Sequence, residues 1–346
     1  MYKVGGQCPI YRSIIPQEQV MSKQVLYVGI DVGCEELWVS VPRRKPKKFE
    51  HSKRGIRSLY NWAEKTAGDD QLHFCMEATG VYSVSVASQM VSECQAQVSV
   101  VNPAQIAAYG RVQMKRSKTD QLDAEVIRAF AESQKPTVWT PAARPLRQLT
   151  ALVTQADAIK DCLGQWQNRH HAHEFVPNLP DEVKKTQRSI ERSLTTQLKK
   201  IETAIANLCA QEPTLAQQVA LLCTIPGVAN KSAVKLLAYG QNWLTERSAK
   251  ALTAHAGLAP HHYQSGTSVR GKSRIDKRGN SKLRKTLYMP ALVAVHHNPI
   301  LIRFYQRLLN NGKPKKLALV AAMRKLLLIS RAMLIARKTF NPLIQR

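Results

Sequence analysis

The sequence predicts a mixed α/β domain followed by a basic, all-helical region. Two observations lead to this fold class. In the first 134 residues, short apolar runs typical of β-strands alternate with segments of helical spacing, whereas from about residue 146 only helical spacing recurs. The charge also changes along the chain, because residues 247–346 contain 21 Lys and Arg against a single acid, Asp276.

Three predicted strands open the α/β domain. The apolar run at 24–30 is the first, and the runs at 37–41 and 47–51 follow with a Pro- and Lys-rich turn between them, which predicts a meander. Helices and strands then alternate, with helices predicted at 55–67, 82–94 and 119–134 and strands at 72–76 and 97–101. This order predicts a mixed sheet in a domain of about 110 residues.

A linker and a long helical region come next. Three prolines between residues 135 and 146 predict the linker. Apolar residues then recur at intervals of three and four, at Leu194, Leu198, Ile201, Ile205 and Leu208. This spacing is typical of a long antiparallel helix pair or a short coiled coil, and hence of a dimerisation element, with a monomeric helical spacer as the alternative.

Helical spacing continues to the C-terminus. The segment IPGV at 225–228 predicts a tight turn entering a helix and is similar to the phosphate-binding turn of a helix-hairpin-helix, although Ala229 replaces its usual second glycine. A purely structural turn is the alternative. The last helices are predicted at 282–297, 299–310 and 315–338, after a polar loop at 257–277.

The predicted domains are a flexible N-terminal extension at 1–20 without a functional role, an α/β domain at 21–139, a helical dimerisation region at 140–215 and a basic helical domain at 216–346. A hydrophobic content of 44% excludes a disordered basic tail. The odd number of cysteines, seven without CxxC spacing, is typical of reduced thiols in the cytoplasm. No signal peptide is recognisable, and charges interrupt the most apolar late helix, so we expect a cytoplasmic protein without a membrane partner.

Four carboxylates form the first candidate site. Asp31 follows one apolar strand in VGID, and Glu77 follows another in CMEATG, whereas Asp120 and Asp123 share one face at a helix start. Carboxylate oxygens suit Mg²⁺, and two such ions can activate a nucleophile and stabilise a leaving oxygen in phosphoryl transfer. The alternatives are a helix-dipole role for Asp120 and turn or loop roles for Asp31 and Glu77.

The polar loop carries the second candidate site, in which Ser265 precedes a glycine. A serine hydroxyl is a weak nucleophile unless a base, metal or cation activates it, and nearby arginines could bind a scissile phosphate. The residues that we assign to nucleic-acid binding are Arg270, Lys272, Arg274, Lys277, Arg278, Lys282, Arg284 and Lys285. The alternatives are an ordinary Ser-Gly turn in a DNA-binding loop, or Ser268 or Ser273 as the nucleophile.

Motifs along nearly the whole chain resemble those of one family. They are GID (29–31), MEATGVY (76–82), VNPA (101–104), KTDQLDA (118–124), IPGV (225–228), GLAP (257–260), YQSGTSVRG (263–271), KRGN (277–280) and LRKTLYMPA (283–291). This set resembles the DEDD transposases of the insertion-sequence one-ten type, the bridge-RNA-guided recombinases. A generic RuvC-like nuclease would supply only the first half of the set.

The resemblance implies a RuvC-like (RNase H-like) α/β domain, a coiled-coil dimerisation region and a C-terminal transposase domain. By motif, Asp31, Glu77, Asp120 and Asp123 would hold Mg²⁺, and Ser265 would form a covalent phosphoserine link to cleaved DNA. The implied partners are double-stranded donor and target DNA, a structured bridge RNA that pairs with both, and further subunits, in a dimer and in a tetrameric synapse.

Two other classes of function stay open at the level of sequence. A hydrolytic RuvC-like junction nuclease would cut DNA with metal-activated water and leave Ser265 a spectator. A noncatalytic basic protein would only bind RNA or DNA. The serine loop favours the recombinase over the nuclease, and the four carboxylates argue against a noncatalytic protein.

Overall fold

The computed structural model of the protein describes residues 24–113, 119–261, 264–265, 269–270, 274–276 and 278–342, and at 261, 264–265 and 269–270 it describes the backbone alone. The predicted extension at 1–20 lies outside these residues. The chain divides into two compact units, with the boundary between Pro141 and Ala142. The division of this second unit into separate domains at 140–215 and 216–346 stays a prediction.

A five-stranded sheet forms the centre of the N-terminal unit. Its strands are β1 (Val25–Val32), β2 (Glu36–Ser40), β3 (Lys47–Glu50), β4 (Gln71–Glu77) and β5 (Gln97–Val101). The spatial order is β3-β2-β1-β4-β5, in which β1, β2 and β3 pair antiparallel while β4 pairs parallel with β1 and with β5. The predicted meander and mixed sheet are thereby confirmed, and this architecture is compatible with a RuvC-like fold.

Four helices accompany the sheet in this unit. They are α1 (Lys53–Ala67), α2 (Val81–Cys94), α3 (Pro103–Val112) and α4 (Asp120–Gln134). Helix α3 was not predicted from the sequence, in which Asn102-Pro103 directly follows the predicted strand at 97–101. The same pair starts a helix well: the Asn102 side chain accepts a hydrogen bond from the Ala104 N–H at 2.9 Å, and Pro103 occupies the first turn.

The two faces of β1 are buried by different helices. Val28 and Ile30 belong to the core cluster that includes Leu59 of α1 and Met90 of α2. On the opposite face the backbone of α4 lies directly over Gly29, so that a Cβ atom there would collide with Ala124 O and Arg128 N. Only a residue without a side chain permits this approach, and it fixes the position of α4 along the strand.

The C-terminal unit begins with a helical hairpin. Helices α5 (Arg144–His173) and α6 (Asp181–Gln211) run antiparallel, because Lys160 near the middle of α5 pairs with Glu202 at 2.9 Å while His170 near its end contacts Glu191 at 3.1 Å. The predicted antiparallel helix pair is present within one chain. Dimerisation through it stays a prediction.

The remaining helices pack into one core. They are α7 (Pro213–Cys223), α8 (Asn230–Gly240), α9 (Ala249–His255), α10 (Ser281–His297), α11 (Pro299–Asn310) and α12 (Lys315–Ala336), with a short 3₁₀ turn at Gln241–Leu244. Leu222, Leu237, Leu287 and Leu326 from four of these helices are almost fully buried in it. No helix of the described part of the chain is long and apolar enough to cross a membrane.

The prediction of an all-helical C-terminal region is wrong in one segment. Between α9 and α10 lie four two-residue strands, β6 (Pro260–His261), β7 (Gln264–Ser265), β8 (Val269–Arg270) and β9 (Arg274–Ile275). They form two antiparallel pairs, β6 with β9 and β7 with β8. The sequence of this segment has no sustained alternation of apolar and polar residues that would predict strands.

The contact at Gly29 leads to the first testable prediction. We expect Gly29→Ala to lower the free energy of unfolding by about 3 kcal/mol or more, because the added methyl must displace the backbone of α4. The matched control is Gly164→Ala in α5, where a Cβ atom meets nothing within 4 Å and the helix should gain about 0.5–1 kcal/mol. Urea denaturation of both variants measures the difference, and equal effects would contradict the close approach of α4.

Candidate active site

Asp31 and Glu77 lie side by side at one edge of the sheet. In the parallel pairing of β1 with β4, Ile30 is opposite Met76, and each carboxylate residue follows directly. Both acids are half-buried. The strand ends therefore bring together the two acids that the sequence placed behind separate apolar runs.

Helix α4 brings the other two acids to the same edge. Thr119 caps this helix by accepting a hydrogen bond from the Leu122 N–H at 3.3 Å, and Asp120 and Asp123 occupy its first turn. Because the α4 backbone packs over Gly29, its first turn projects toward Asp31, which lies two residues further along the same face of β1. The N-terminal end of the helix dipole also stabilises acids at these positions.

The electrostatics of Asp31 reflect this convergence. Burial of the carboxyl group raises its pKa to about 6, with further increases from the negative charges of Asp123, Asp120 and Glu77, while a backbone hydrogen bond lowers it. The negative charge of each of the other three acids thus acts on Asp31. Oxygen donors of this kind are the ligands that Mg²⁺ prefers. Among the described residues, however, no three acidic, His or Cys side chains are arranged as a finished metal cage.

A group of aromatic, imidazole and thiol side chains next to this edge was not predicted from the sequence. The Cys34 thiol donates a hydrogen bond to the Tyr82 hydroxyl at 3.4 Å, and the His51 ring meets the Tyr82 ring edge-on with centroids 5.9 Å apart. Val81 beside them is 77% exposed. The motif MEATGVY contained Tyr82, but nothing in the sequence linked it to Cys34 and His51, which lie on different elements.

Ser265 lies on the inner strand pair of the segment between α9 and α10. Ser265 is paired with Val269 and Gln264 with Arg270, so the two strands run antiparallel. The β6–β9 pair lies closer to the two helices in sequence, with Pro260 opposite Ile275. Ser268, Lys272, Ser273 and Lys277 lie outside the described residues.

The base of this segment is closed by backbone contacts. Gly257 has a φ of +65°, and a Cβ atom on it would come within 2.8 Å of Asp276 O. A Cβ atom on Gly279 would approach Ala254 O to 2.6 Å. The Asp276 N–H donates to Ala259 O at 3.0 Å, which completes the closure. Glycine at both ends is therefore a steric requirement, and the segment leaves and re-enters the helical core at nearly the same place.

Asn280 and His255 connect this base to the core. The Asn280 amide oxygen caps α10 by accepting from the Leu283 N–H at 3.0 Å, and its Nδ2 donates to Tyr239 O at 3.3 Å. The His255 ring stacks on Trp243 with centroids 4.1 Å apart, and burial lowers the pKa of His255 to about 4. His255 is thus neutral near pH 7 and serves as a packing element, which the sequence alone did not indicate.

The basic residues predicted to bind nucleic acid fall into two groups. The Arg278 guanidinium pairs with Asp276, with Nη2 and Oδ2 at 2.8 Å, and Arg284 Nη1 donates to Ala256 O at 3.2 Å. Arg284 thus has a role within the fold, whereas Arg278 is exposed and its pairing with Asp276 is local. Lys282 and Lys285 are exposed on α10, where Lys282 lies over the Tyr239 ring at 5.6 Å and Lys285 is 3.6 Å from Asp161. Arg274 is also exposed.

The turn at 225–228 has a packing function. Gly227 has a φ of +100°, and a Cβ atom on it would lie 2.8 Å from the Ala294 backbone N of α10. The positive φ and this close contact together explain why position 227 is glycine, with no need for a phosphate ligand. Ala229 stands where a helix-hairpin-helix usually has its second glycine, and it is the N-cap residue of α8.

Comparison with known proteins identifies relatives over nearly the full length. Residues 28–173 match a DEDD-type transposase profile, and residues 219–306 match the profile "Transposase IS116/IS110/IS902 family". The chain is 32% identical over 321 residues to the pilin gene-inverting protein of Moraxella bovis, covering 91% of this chain and 97% of the relative. The same values hold for the pilin gene-inverting protein of Moraxella lacunata.

A third relative covers a smaller part. It is the IS110 insertion element's uncharacterized 43.6 kDa protein of Streptomyces coelicolor, which is 30% identical over 114 residues, or 33% of this chain and 28% of that protein.

The raised pKa of Asp31 leads to a prediction on stability. The Asp31 carboxyl binds its proton more tightly in the folded protein than in the unfolded chain. Ionisation of Asp31 therefore lowers the free energy of unfolding. This loss is absent below about pH 4, grows as the pH rises toward 6 and is complete above it. We expect Asp31→Asn to raise the free energy of unfolding at pH 7.5 by about 1–2 kcal/mol, a value reduced for the partial exposure of the group, and to change it little at pH 4.

Urea denaturation at the two pH values checks this prediction. Added Mg²⁺ should stabilise the wild-type protein at pH 7.5 more than it stabilises the variant. A loss of stability that is equal at both pH values would indicate that Asp31 has only a structural role.

Proposed function

Because the chain belongs to the IS110 family of transposases, we propose that it cuts and rejoins donor and target DNA through a phosphoserine intermediate on Ser265, guided by a structured bridge RNA. Asp31, Glu77, Asp120 and Asp123 would hold Mg²⁺ for this reaction. The observation that carries the proposal is the gathering of these four acids at one sheet edge, where Asp31 experiences the charge of the other three.

The serine step exchanges a phosphodiester bond within the DNA for one between the DNA and the serine. The Ser265 hydroxyl oxygen attacks the scissile phosphorus, a bond from that phosphorus to a deoxyribose oxygen breaks, and the released deoxyribose oxygen takes up a proton as the serine oxygen loses its own. In the second step a deoxyribose hydroxyl of the new partner strand attacks the phosphoserine. The serine is then released with its proton, and no external energy source is needed.

The position of Ser265 supports this role. It lies on the strand pair β7–β8 within a segment whose two ends are joined by close contacts at Gly257 and Gly279. Exposed cations follow on β9 and α10, where they can bind the phosphates on either side of the cut. The four carboxylates are suited to bind a divalent ion that stabilises charge on the attacking and leaving oxygens when bound.

The relatives support a cut-and-rejoin reaction over hydrolysis. They are named for inverting a pilin gene. An inversion requires every cut end to be joined again, which a covalent protein–DNA intermediate accomplishes without free ends. A purely hydrolytic nuclease would release the ends.

Guidance by RNA is compatible with the structure as described. No motif that reads a DNA sequence was found in the chain, and base pairing would supply sequence recognition while the protein contacts shape and backbone. A dimer, and a tetramer during synapsis, would bring the required DNA ends together.

The nucleophile is tested by trapping it. After incubation with bridge RNA, DNA and Mg²⁺, we expect a protein–DNA adduct on a denaturing gel that Ser265→Ala eliminates together with recombination, a loss of about 10³-fold or more. Ser268→Ala and Ser273→Ala are matched controls that should retain the adduct. Normal rejoining by Ser265→Ala would refute the serine mechanism and favour metal-activated water.

The two groups of basic residues should respond differently to substitution. Lys285→Ala removes an exposed charge, so we expect about one unit less in the slope of log affinity against log salt and an unchanged melting temperature. Arg284→Ala removes the hydrogen bond to Ala256 O and should lower the free energy of unfolding by about 1 kcal/mol. DNA-binding titrations at several salt concentrations and thermal melts measure both effects. A reversed pattern would contradict this division.

A further inference from the structure

A second cationic cluster lies on α11 and α12, outside every site discussed above. Lys325 Nζ lies 4.8 Å from the centroid of the Phe304 ring, and Arg307 Cζ lies 5.5 Å from the same ring. The Arg303 guanidinium is one helical turn before Arg307 on α11, and its Nε donates to Pro299 O at 3.3 Å. We call Arg303, Arg307 and Lys325 the Phe304 cluster.

Among the described residues, no acid forms an ion pair with this cluster. The chain has no Asp or Glu after Asp276, so α11 and the helices packed against it, α10 and α12, are free of acids. Partial burial lowers the pKa of Lys325, and repulsion from Arg307 and Arg303 lowers it further.

The cluster is held in place rather than spread over a mobile surface. The ring of Phe304 lies beneath two of the cations, and a backbone carbonyl holds the third. Like charges four residues apart destabilise a helix, as Arg303 and Arg307 do here. A fold that holds three uncompensated cations together is poised to bind an anion, since the anion removes the repulsion that the free protein bears.

The same two helices carry further exposed cations. Lys313, Lys315 and Lys316 are exposed at the turn between the two helices. Lys315 and Lys316 lie in the first turn of α12, where the helix dipole disfavours positive charge. Several cations on one pair of helices fit a polymer of phosphates better than a single small anion.

We propose that the Phe304 cluster is a second binding site for a phosphodiester backbone, separate from the residues around Ser265. The ligand is a nucleic acid strand, of DNA or of folded RNA, bound through its phosphates without reading of its bases. The inference rests on the action of the family on DNA and is independent of the chemistry assigned to Ser265. Arginine contributes the bidentate contacts to phosphate oxygens, and Lys325 contributes a point charge.

The test measures binding and not catalysis. The full-length protein with Ser265→Ala is the background, so that failure of the serine mechanism does not affect the result. In it, Arg303→Gln, Arg307→Gln and Lys325→Gln are combined. The probes are a duplex DNA and a folded hairpin RNA, each labelled with a fluorophore, and fluorescence anisotropy gives the affinity at several salt concentrations.

We expect the triple variant to bind one or both probes at least about ten-fold more weakly, with the salt slope reduced by about two to three units. The control variant removes the same charge from exposed positions on α1, through Lys53→Gln, Arg54→Gln and Lys65→Gln, and should change the slope by less than one unit. A loss with DNA identifies a DNA backbone as the ligand, and a loss with RNA identifies an RNA backbone.

An unchanged slope with both probes, or an equal change in the α1 variant, overturns the proposal, because the cluster is then only part of a diffuse positive surface. Thermal melts check that the triple variant is folded. If it is not, Lys325→Gln alone replaces it, and the expected reduction in slope is about one unit.

Discussion

The close approach of α4 to β1 is the contact on which the arrangement of the N-terminal unit depends. Gly29 has no side chain, so the α4 backbone can lie directly on the strand at Ala124 and Arg128. That contact sets both the height and the rotation of the helix. The first turn of α4 then meets the end of β1 at Asp31, beside Glu77. The acids are thus positioned by the backbone of the sheet and the helix.

Both units hold like charges together at a cost in stability. In the N-terminal unit burial raises the pKa of Asp31 and the neighbouring carboxylates raise it further, and in the C-terminal unit burial lowers the pKa of Lys325 and the neighbouring arginines lower it further. Folding alone favours neither arrangement, because dispersing the charges would stabilise the free protein. Each is understandable if a ligand of opposite charge completes it, a divalent cation in the first case and phosphates in the second.

Much of the fold was predictable because its signals are local. The meander, the mixed sheet and most helices of the C-terminal unit follow from apolar periodicity, and α11 begins and ends at the predicted residues 299 and 310. Asp31 and Glu77 were identifiable because each directly follows an apolar strand. Helix α3 was missed because Asn102-Pro103 can end a strand or start a helix, and only the tertiary structure decides.

The other differences arise from contacts between residues far apart in the sequence. The short strands around Ser265 have no periodic pattern, and their pairing follows from the closure of the segment at Gly257 and Gly279. The structural partners of Arg278 and Arg284 include a neighbouring acid and a backbone carbonyl, and charge composition gives no indication of a carbonyl acceptor. Composition correctly located the positive charge but did not distinguish cations that support the fold from those that are exposed.

The pinned base between Gly257 and Gly279 also bears on how such a protein can diversify. Because the two ends of the segment are joined by backbone contacts, the entropy of closing it is already spent, and doubling its length would add only about 0.6 kcal/mol. On this ground we expect the segment around Ser265 to tolerate changes in length with little effect on the stability of the surrounding helices.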